Sequence, residues 1–266
     1  MPLIDGPDCR LWVDVRGDGK PVTLVAHGIT SSSEEIAAFV WQTPGTRILF
    51  DFRGHGRSES PPEAAGYDTA AMRRDLEFVA DRYDATQALG VSMGSSATLH
   101  LLADTPDRFD RLLFFIPSRI DQNTEVSKHT YPALAHMLET MPLEEVADTV
   151  VNAPESQPLI ERRPAWRELM RARILRMNAT GVPRALRAFA TGLPPCSDAT
   201  VLKRVLAPTL ILAHEDDPIH PSAVARRLGE LLPNAEVRIW DKPLEMLDDF
   251  SGFTKTVADF LGGSSS

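Results

Sequence analysis

Cysteine is scarce in this chain, with only Cys9 and Cys196, far apart, among 266 residues. That excludes a disulfide framework and any cysteine-based metal cluster. Long apolar runs are missing too. No stretch approaches the roughly 18 residues that a membrane-spanning helix needs, and Met1 to Arg10 carries no secretory pattern, so a soluble, cytoplasmic protein is expected. Positive charge is in deficit: 28 Lys and Arg against 37 Asp and Glu leave a net charge of -9, which argues against nucleic-acid phosphates as partners. The one basic run, Arg162-Arg163 through Arg167, Arg171, Arg173 and Arg176, alternates with Glu161, Glu168 and apolar residues at helical spacing and reads as a solvated helix face. No dinucleotide fingerprint, phosphate-cradling loop or metal-ligand spacing occurs, so no cofactor and no metal are implied. Histidine also runs out early, with none after His220.

What is present is punctuated alternation. Leu11 to Val15, Val22 to Ala26, Arg47 to Phe50, Ala85 to Leu89, Arg111 to Ile116, Thr209 to Ala213 and Glu236 to Trp240 read as strands; the first two suggest a hairpin across the turn-rich 16–20. Helical patterns fall between them over 34–41, 68–83, 95–102, 222–232 and 250–261, and the serines at 31–33 offer capping oxygens for the first. Strands alternating with helices imply an α/β fold, a mostly parallel central sheet with helices on both faces. From 118 to 195 the alternation stops and four helices are expected instead, over 129–140, 143–152, 164–178 and 182–190. The domain reading is a core of 1–117 and 196–262, a helical insertion at 118–195 and a flexible tail at 263–266. Met137, Met141, Trp166, Leu169, Met170, Met177, Leu186 and Phe189, at helical spacing, are expected to give the insertion an apolar interior.

Chemistry concentrates at Gly90-Val91-Ser92-Met93-Gly94, where a buried strand gives way to a helix of small residues and leucines. Two glycines lacking side chains let a serine occupy a sharp, strained turn with its hydroxyl exposed, and the following helix directs free amides at developing negative charge. Open α/β sheets bind ligands beyond the carboxyl ends of their strands. Ser92 and the loops after Ala26 and Ala213 all fall there.

Together these motifs resemble the α/β-hydrolase superfamily over nearly the whole chain. His27-Gly28, Asp51-Phe52-Arg53-Gly54-His55-Gly56-Arg57-Ser58, the elbow at 90–94 and Asp216-Asp217-Pro218-Ile219-His220-Pro221 occur in the family's order. The resemblance implies that Ser92 is a nucleophile, that Ile29 and Met93 supply backbone N–H groups to an oxyanion hole, that Asp217 is the acid, and that 118–195 is a lid. It also implies that His27, His55, Arg53 and Ser58 brace loops, with Asp121 as a second candidate acid.

One element of the family pattern is absent. Its histidine belongs in the loop after the eighth strand, and here that loop reads Asp241-Lys242-Pro243-Leu244-Glu245-Met246-Leu247-Asp248-Asp249. A serine hydroxyl is a poor nucleophile without a base to take its proton. Glu245 and Asp241 are weak candidates near their ordinary pKa, whereas His220 lies three residues beyond Asp217. The leading expectation is hydrolysis of a small ester, thioester or lactone by Ser92 with a relocated or weak base, on a small, apolar substrate; the oligomeric state is unassigned. The alternatives are a lyase, cyclase or isomerase on the same fold, or a catalytically silent small-molecule-binding protein.

Overall fold

The computed structural model describes residues 3–63 and 66–263, so the tail expected at 263–266 lies outside the described residues except for Gly263. Its strands are β1 (Leu3–Asp5), β2 (Arg10–Arg16), β3 (Val22–Ala26), β4 (Thr46–Phe50), β5 (Gln87–Val91), β6 (Arg111–Phe115), β7 (Thr209–His214) and β8 (Ala235–Trp240). They form one sheet in the order β1-β2-β4-β3-β5-β6-β7-β8. The six strands β3 to β8 pair in parallel, and only β1 and β2 run antiparallel to their neighbours.

Alternation along the central strands sets up two apolar faces. Ala88, Leu112, Phe114 and Ile211 point to one face, where they meet Leu76 of α2 (Thr69–Arg82), Leu99 of α3 (Met93–Asp104) and Leu228 of α9 (Ser222–Leu231). Leu89, Leu113, Phe115 and Leu212 point to the other, against Ile36 of α1 (Ser33–Ile36) and Phe253, Val257 and Leu261 of α10 (Phe250–Gly262). Each such leucine or phenylalanine contributes about 1.5–3 kcal/mol by leaving water. A one-residue slip of β6 would exchange the two sets, so the pairing register is strongly fixed.

Three local expectations need correction. The hairpin between 11–15 and 22–26 does not form: β2 lies antiparallel beside β4, because β3 is paired on both edges by the parallel strands β4 and β5. The strand expected at 85–89 runs instead from Gln87 to Val91, carried through Gly90 by pairing with Phe114 and Phe115 of β6. The serine run does not cap α1 with its side chains; the Ser33 amide donates to Asp51 Oδ1 at 2.6 Å.

Between β6 and β7 lie α4 (Glu125–Thr140), α5 (Leu143–Asn152), α6 (Gln157–Arg162), α7 (Ala165–Leu175) and α8 (Gly181–Thr191), with α4 packed on α8 and α5 on α7. The short α6 was not among the expected helices. Arg119 ties this insertion to the core. Its buried guanidinium has no carboxylate in ion-pair reach among the described residues; it donates to Thr69 Oγ1 at 2.6 Å, Asn123 Oδ1 at 2.9 Å and the Phe189 carbonyl at 3.1 Å, and lies over the Phe189 ring. Burial lowers its pKa to about 10.

The basic run is likewise more than a solvated face. Arg162 and Arg163 reach Asp248 in the loop after β8, and Arg173 reaches Glu35 of α1. These acids are distant in sequence, so helical spacing alone gives no sign of them. No described helix is long and apolar enough to cross a membrane.

Candidate active site

Ser92 occupies the junction of β5 and α3 with φ 49 and ψ -103, a region that residues with side chains rarely adopt. Strain of this kind costs on the order of 1–3 kcal/mol and persists only where the surroundings enforce it. Here they do. A Cβ at Gly94 would stand 2.2 Å from the Ala26 carbonyl oxygen, and one at Gly90 would stand 2.7 Å from the Ser95 nitrogen, so both glycines are required by close backbone approach. The Ser92 amide donates to the Phe115 carbonyl and the Gly94 amide to the His27 carbonyl, each at 3.1 Å.

Beyond β7 the chain turns through Asp216, at φ 57, into a tight loop organised by Asp217. Asp217 Oδ1 accepts from the amides of Ile219 at 2.9 Å and His220 at 3.1 Å, an Asx-type turn that brings the two side chains of the Asp-x-x-His segment together. Asp217 Oδ2 then lies 2.8 Å from His220 Nδ1, and His220 Nε2 lies 2.9 Å from Ser92 Oγ. The carboxylate next to Nδ1 selects the tautomer with its proton there and leaves Nε2 free to accept from the serine hydroxyl. Burial opposes ionisation of Asp217, but the side-chain and backbone hydrogen bonds from His220 and the favourable electrostatics of His220 and His214 outweigh it and hold the pKa at about 2.

The two backbone amides expected to face an oxyanion are unengaged. Met93 is the first residue of α3 and Ile29 lies outside any strand or helix, and neither amide donates a hydrogen bond among the described residues, although both residues are buried. The Ile29 loop sits against the serine: a Cβ at Gly28 would be 3.6 Å from Ser92 Cβ. Two buried N–H groups without partners beside a hydroxyl are costly in an empty site, and a developing oxyanion would satisfy them.

The flanking motif residues take supporting positions. His27 donates from Nδ1 to the Gly28 carbonyl at 2.7 Å and accepts at Nε2 from the Phe52 amide at 3.1 Å; burial, with the adjacent His55, pushes its pKa down to about 4 and keeps it neutral. His55 Nε2 lies 2.7 Å from the Ile29 carbonyl, fixing the peptide next to the candidate oxyanion donor. Arg53 forms a buried fork with Asp75 at 2.9 and 2.6 Å, and Ser58 Oγ donates to the Asp51 carbonyl.

Asp121 is engaged by both terminal nitrogens of Arg227 at 2.6 and 2.5 Å, away from the serine. Glu245 caps its own loop by accepting from the Lys242 amide, while Asp241 is exposed. Two residues at the site escaped the sequence reading. His214, the last residue of β7, places Nε2 3.8 Å from Asp217 Oδ2. Tyr131 of α4 has no hydrogen-bond partner for its hydroxyl among the described residues, and burial, reinforced by the Asp217 charge, pushes its pKa up to about 12. No group of side chains suited to a metal ion occurs among the described residues.

A family model for the alpha/beta hydrolase fold matches residues 24–143, a span holding β3, the elbow and β6. The same fold recurs in solved structures that cover nearly all of the chain. The enol-lactonase from Burkholderia xenovorans LB400 superimposes with a TM-score of 0.80, covering 98% of this chain and 100% of that one at 20% identity. The chain has the α/β-hydrolase fold. Among curated relatives, it is 28% identical over 227 residues to the putative carbamate hydrolase RutD of Caulobacter sp. (strain K31), covering 81% of this chain and 80% of the relative. It is 26% identical over 275 residues to the rhodomycin D methylesterase DnrP of Streptomyces peucetius, covering 88% of each.

Proposed function

We propose that this protein is a serine hydrolase of a small ester, thioester or lactone, with Ser92 as nucleophile, His220 as a relocated general base and Asp217 as the acid that orients it. The observation that carries this reading is the continuous relay Ser92 Oγ, His220 Nε2, His220 Nδ1, Asp217 Oδ2, with links of 2.9 and 2.8 Å. Its chain order, serine then acid then histidine, is the family's order compressed at its end. The names of the relatives, a carbamate hydrolase, a methylesterase and an enol-lactonase, favour acyl chemistry at an ester-like bond.

In this mechanism Ser92 Oγ attacks the acyl carbon while its proton passes to His220 Nε2. The carbonyl oxygen gains negative charge and accepts from the Ile29 and Met93 amides. The tetrahedral intermediate collapses, the bond to the leaving oxygen or sulfur breaks, and His220 returns its proton to that atom. A water molecule, deprotonated by the same imidazole, then attacks the acyl-enzyme, and its collapse regenerates Ser92. Asp217 stays ionised and stabilises the imidazolium. The insertion at 118–195 acts as a lid over the core of 1–117 and 196–262, and the substrate is small and apolar. The readings as a lyase, cyclase, isomerase or silent binder drew on a missing base, and an imidazole 2.9 Å from the serine hydroxyl supports hydrolysis over them.

A fluorophosphonate probe tests the proposal. Labelling of the wild-type protein at Ser92, located by peptide mass and lost in Ser92→Ala, is the expected result. Absence of labelling, or labelling that persists in His220→Ala at the wild-type rate, overturns it.

A further inference from the structure

The relocated base and its acid have His214 beside them. In Asp217-Pro218-Ile219-His220 the acid and the base share one turn whose amides hold Oδ1, and a donor outside the turn adds a second constraint, on Oδ2. Asp217 Oδ1 is occupied by two backbone amides and its Oδ2 faces His220. The remaining approach to Oδ2 is from β7, where the buried His214 holds Nε2 at 3.8 Å, longer than a hydrogen bond yet within charge–dipole range. His214 Nδ1 is buried and has no partner among the described residues. The Asp217 carboxylate 3.8 Å from Nε2 favours the neutral tautomer with its proton on that nitrogen.

We propose that His214 is a positioning residue for the Asp217–His220 turn: as a neutral imidazole it presents Nε2–H to Asp217 Oδ2 from the β7 side and keeps that oxygen aimed at His220 Nδ1. This inference rests on the serine-hydrolase reading. The groups around His214 suit the role. Burial lowers its pKa and keeps it uncharged. Glu215 is drawn away by Ser222 and Arg226, and Trp240, the partner of His214 on β8, carries no titratable group. The titratable groups that act on His214 are Asp217 and His220. A charged residue at 214 would compete with His220 for the same oxygen, whereas a neutral donor shares it.

The test compares His214→Phe, which fills the space without a donor, with His214→Gln, which restores one. Loss of the Nε2–H leaves more of the Asp217 charge to act on His220. The imidazole titration of His220, followed by nitrogen-15 NMR, is therefore expected to move up in His214→Phe and to return most of the way in His214→Gln. Turnover of a p-nitrophenyl ester is expected to fall roughly tenfold in kcat in His214→Phe, with KM changed less than about twofold and the acid limb of kcat/KM displaced in the same direction. A His220 titration unmoved in both variants overturns the inference, as do equal kcat losses in the two variants without any displacement, which mark mere packing. The NMR readout needs no turnover and the labelling of Ser92 needs no His214 variant, so failure of this inference and failure of the serine-hydrolase reading are distinguished.

Discussion

Replacing His220 by glutamine separates catalysis from folding. The imidazole makes two contacts at the site, 2.9 Å to Ser92 Oγ and 2.8 Å to Asp217 Oδ2. Glutamine keeps the chain's bulk and the backbone amide of residue 220 that donates to Asp217 Oδ1, so the Asx-type turn survives. The stability at risk is bounded by the Asp217 pKa. Its displacement from 3.8 to about 2 corresponds to about 2 kcal/mol in favour of the ionised form. Part of that comes from backbone amides and His214, which the substitution leaves in place, so unfolding by urea should lose less than about 2 kcal/mol. Catalysis loses far more. Without a base the serine proton has no acceptor, and kcat is expected to fall roughly 10⁴-fold, equivalent to about 5 kcal/mol in the activation barrier. The assay is steady-state hydrolysis of a p-nitrophenyl ester at neutral pH, paired with urea denaturation of the same preparation. A kcat loss under about tenfold in a folded variant would refute the assignment of His220 as base.

Three further outcomes follow from the same geometry. Ser92→Gly should be more stable than Ser92→Ala by about 1 kcal/mol in urea denaturation, because glycine alone accepts φ 49 without strain; equal stabilities would remove the claim of strain at the elbow. Gly94→Ala is expected to destabilise by about 3 kcal/mol or to prevent folding, since the added Cβ meets the Ala26 carbonyl oxygen at 2.2 Å, and a wild-type melting temperature would contradict that packing. The Asp217 pKa is depressed on folding, so its contribution is fully present above the unfolded value of 3.8 and is lost as pH falls toward about 2. Stability curves of wild type and Asp217→Asn should therefore converge only as pH falls through about 2, and a gap that widens on acidification would reverse the sign of that linkage.

How far the sequence reveals this arrangement depends on the range of the forces involved. The elbow, the central strands and the i, i+3 relation of Asp217 and His220 are local patterns, and each can be read from spacing. Sheet neighbours cannot. The pairing of β2 with β4 in place of β3, and the extension of β5 through Gly90, are decided by strands distant along the chain. The same holds for electrostatic partners: Arg173 finds Glu35, and Arg162 and Arg163 find Asp248, across separations that helical periodicity does not encode. His214 lies one residue beyond the strand read over Thr209 to Ala213 and belongs to no motif. Only the fold of the next three residues puts a carboxylate beside it.

Placing acid and base within one turn also changes what the segment after β8 is free to become. Asp248 there pairs with Arg162 and Arg163 of the helical insertion, and Ser92, Asp217 and His220 make no hydrogen bond to it among the described residues. Residues 241–249 can accordingly vary in length and composition on their own schedule, adjusting how the insertion is held without disturbing proton transfer. The Asp-x-x-His turn, for its part, is a compact acid–base unit that could be transplanted onto a related sheet together with the histidine that ends β7.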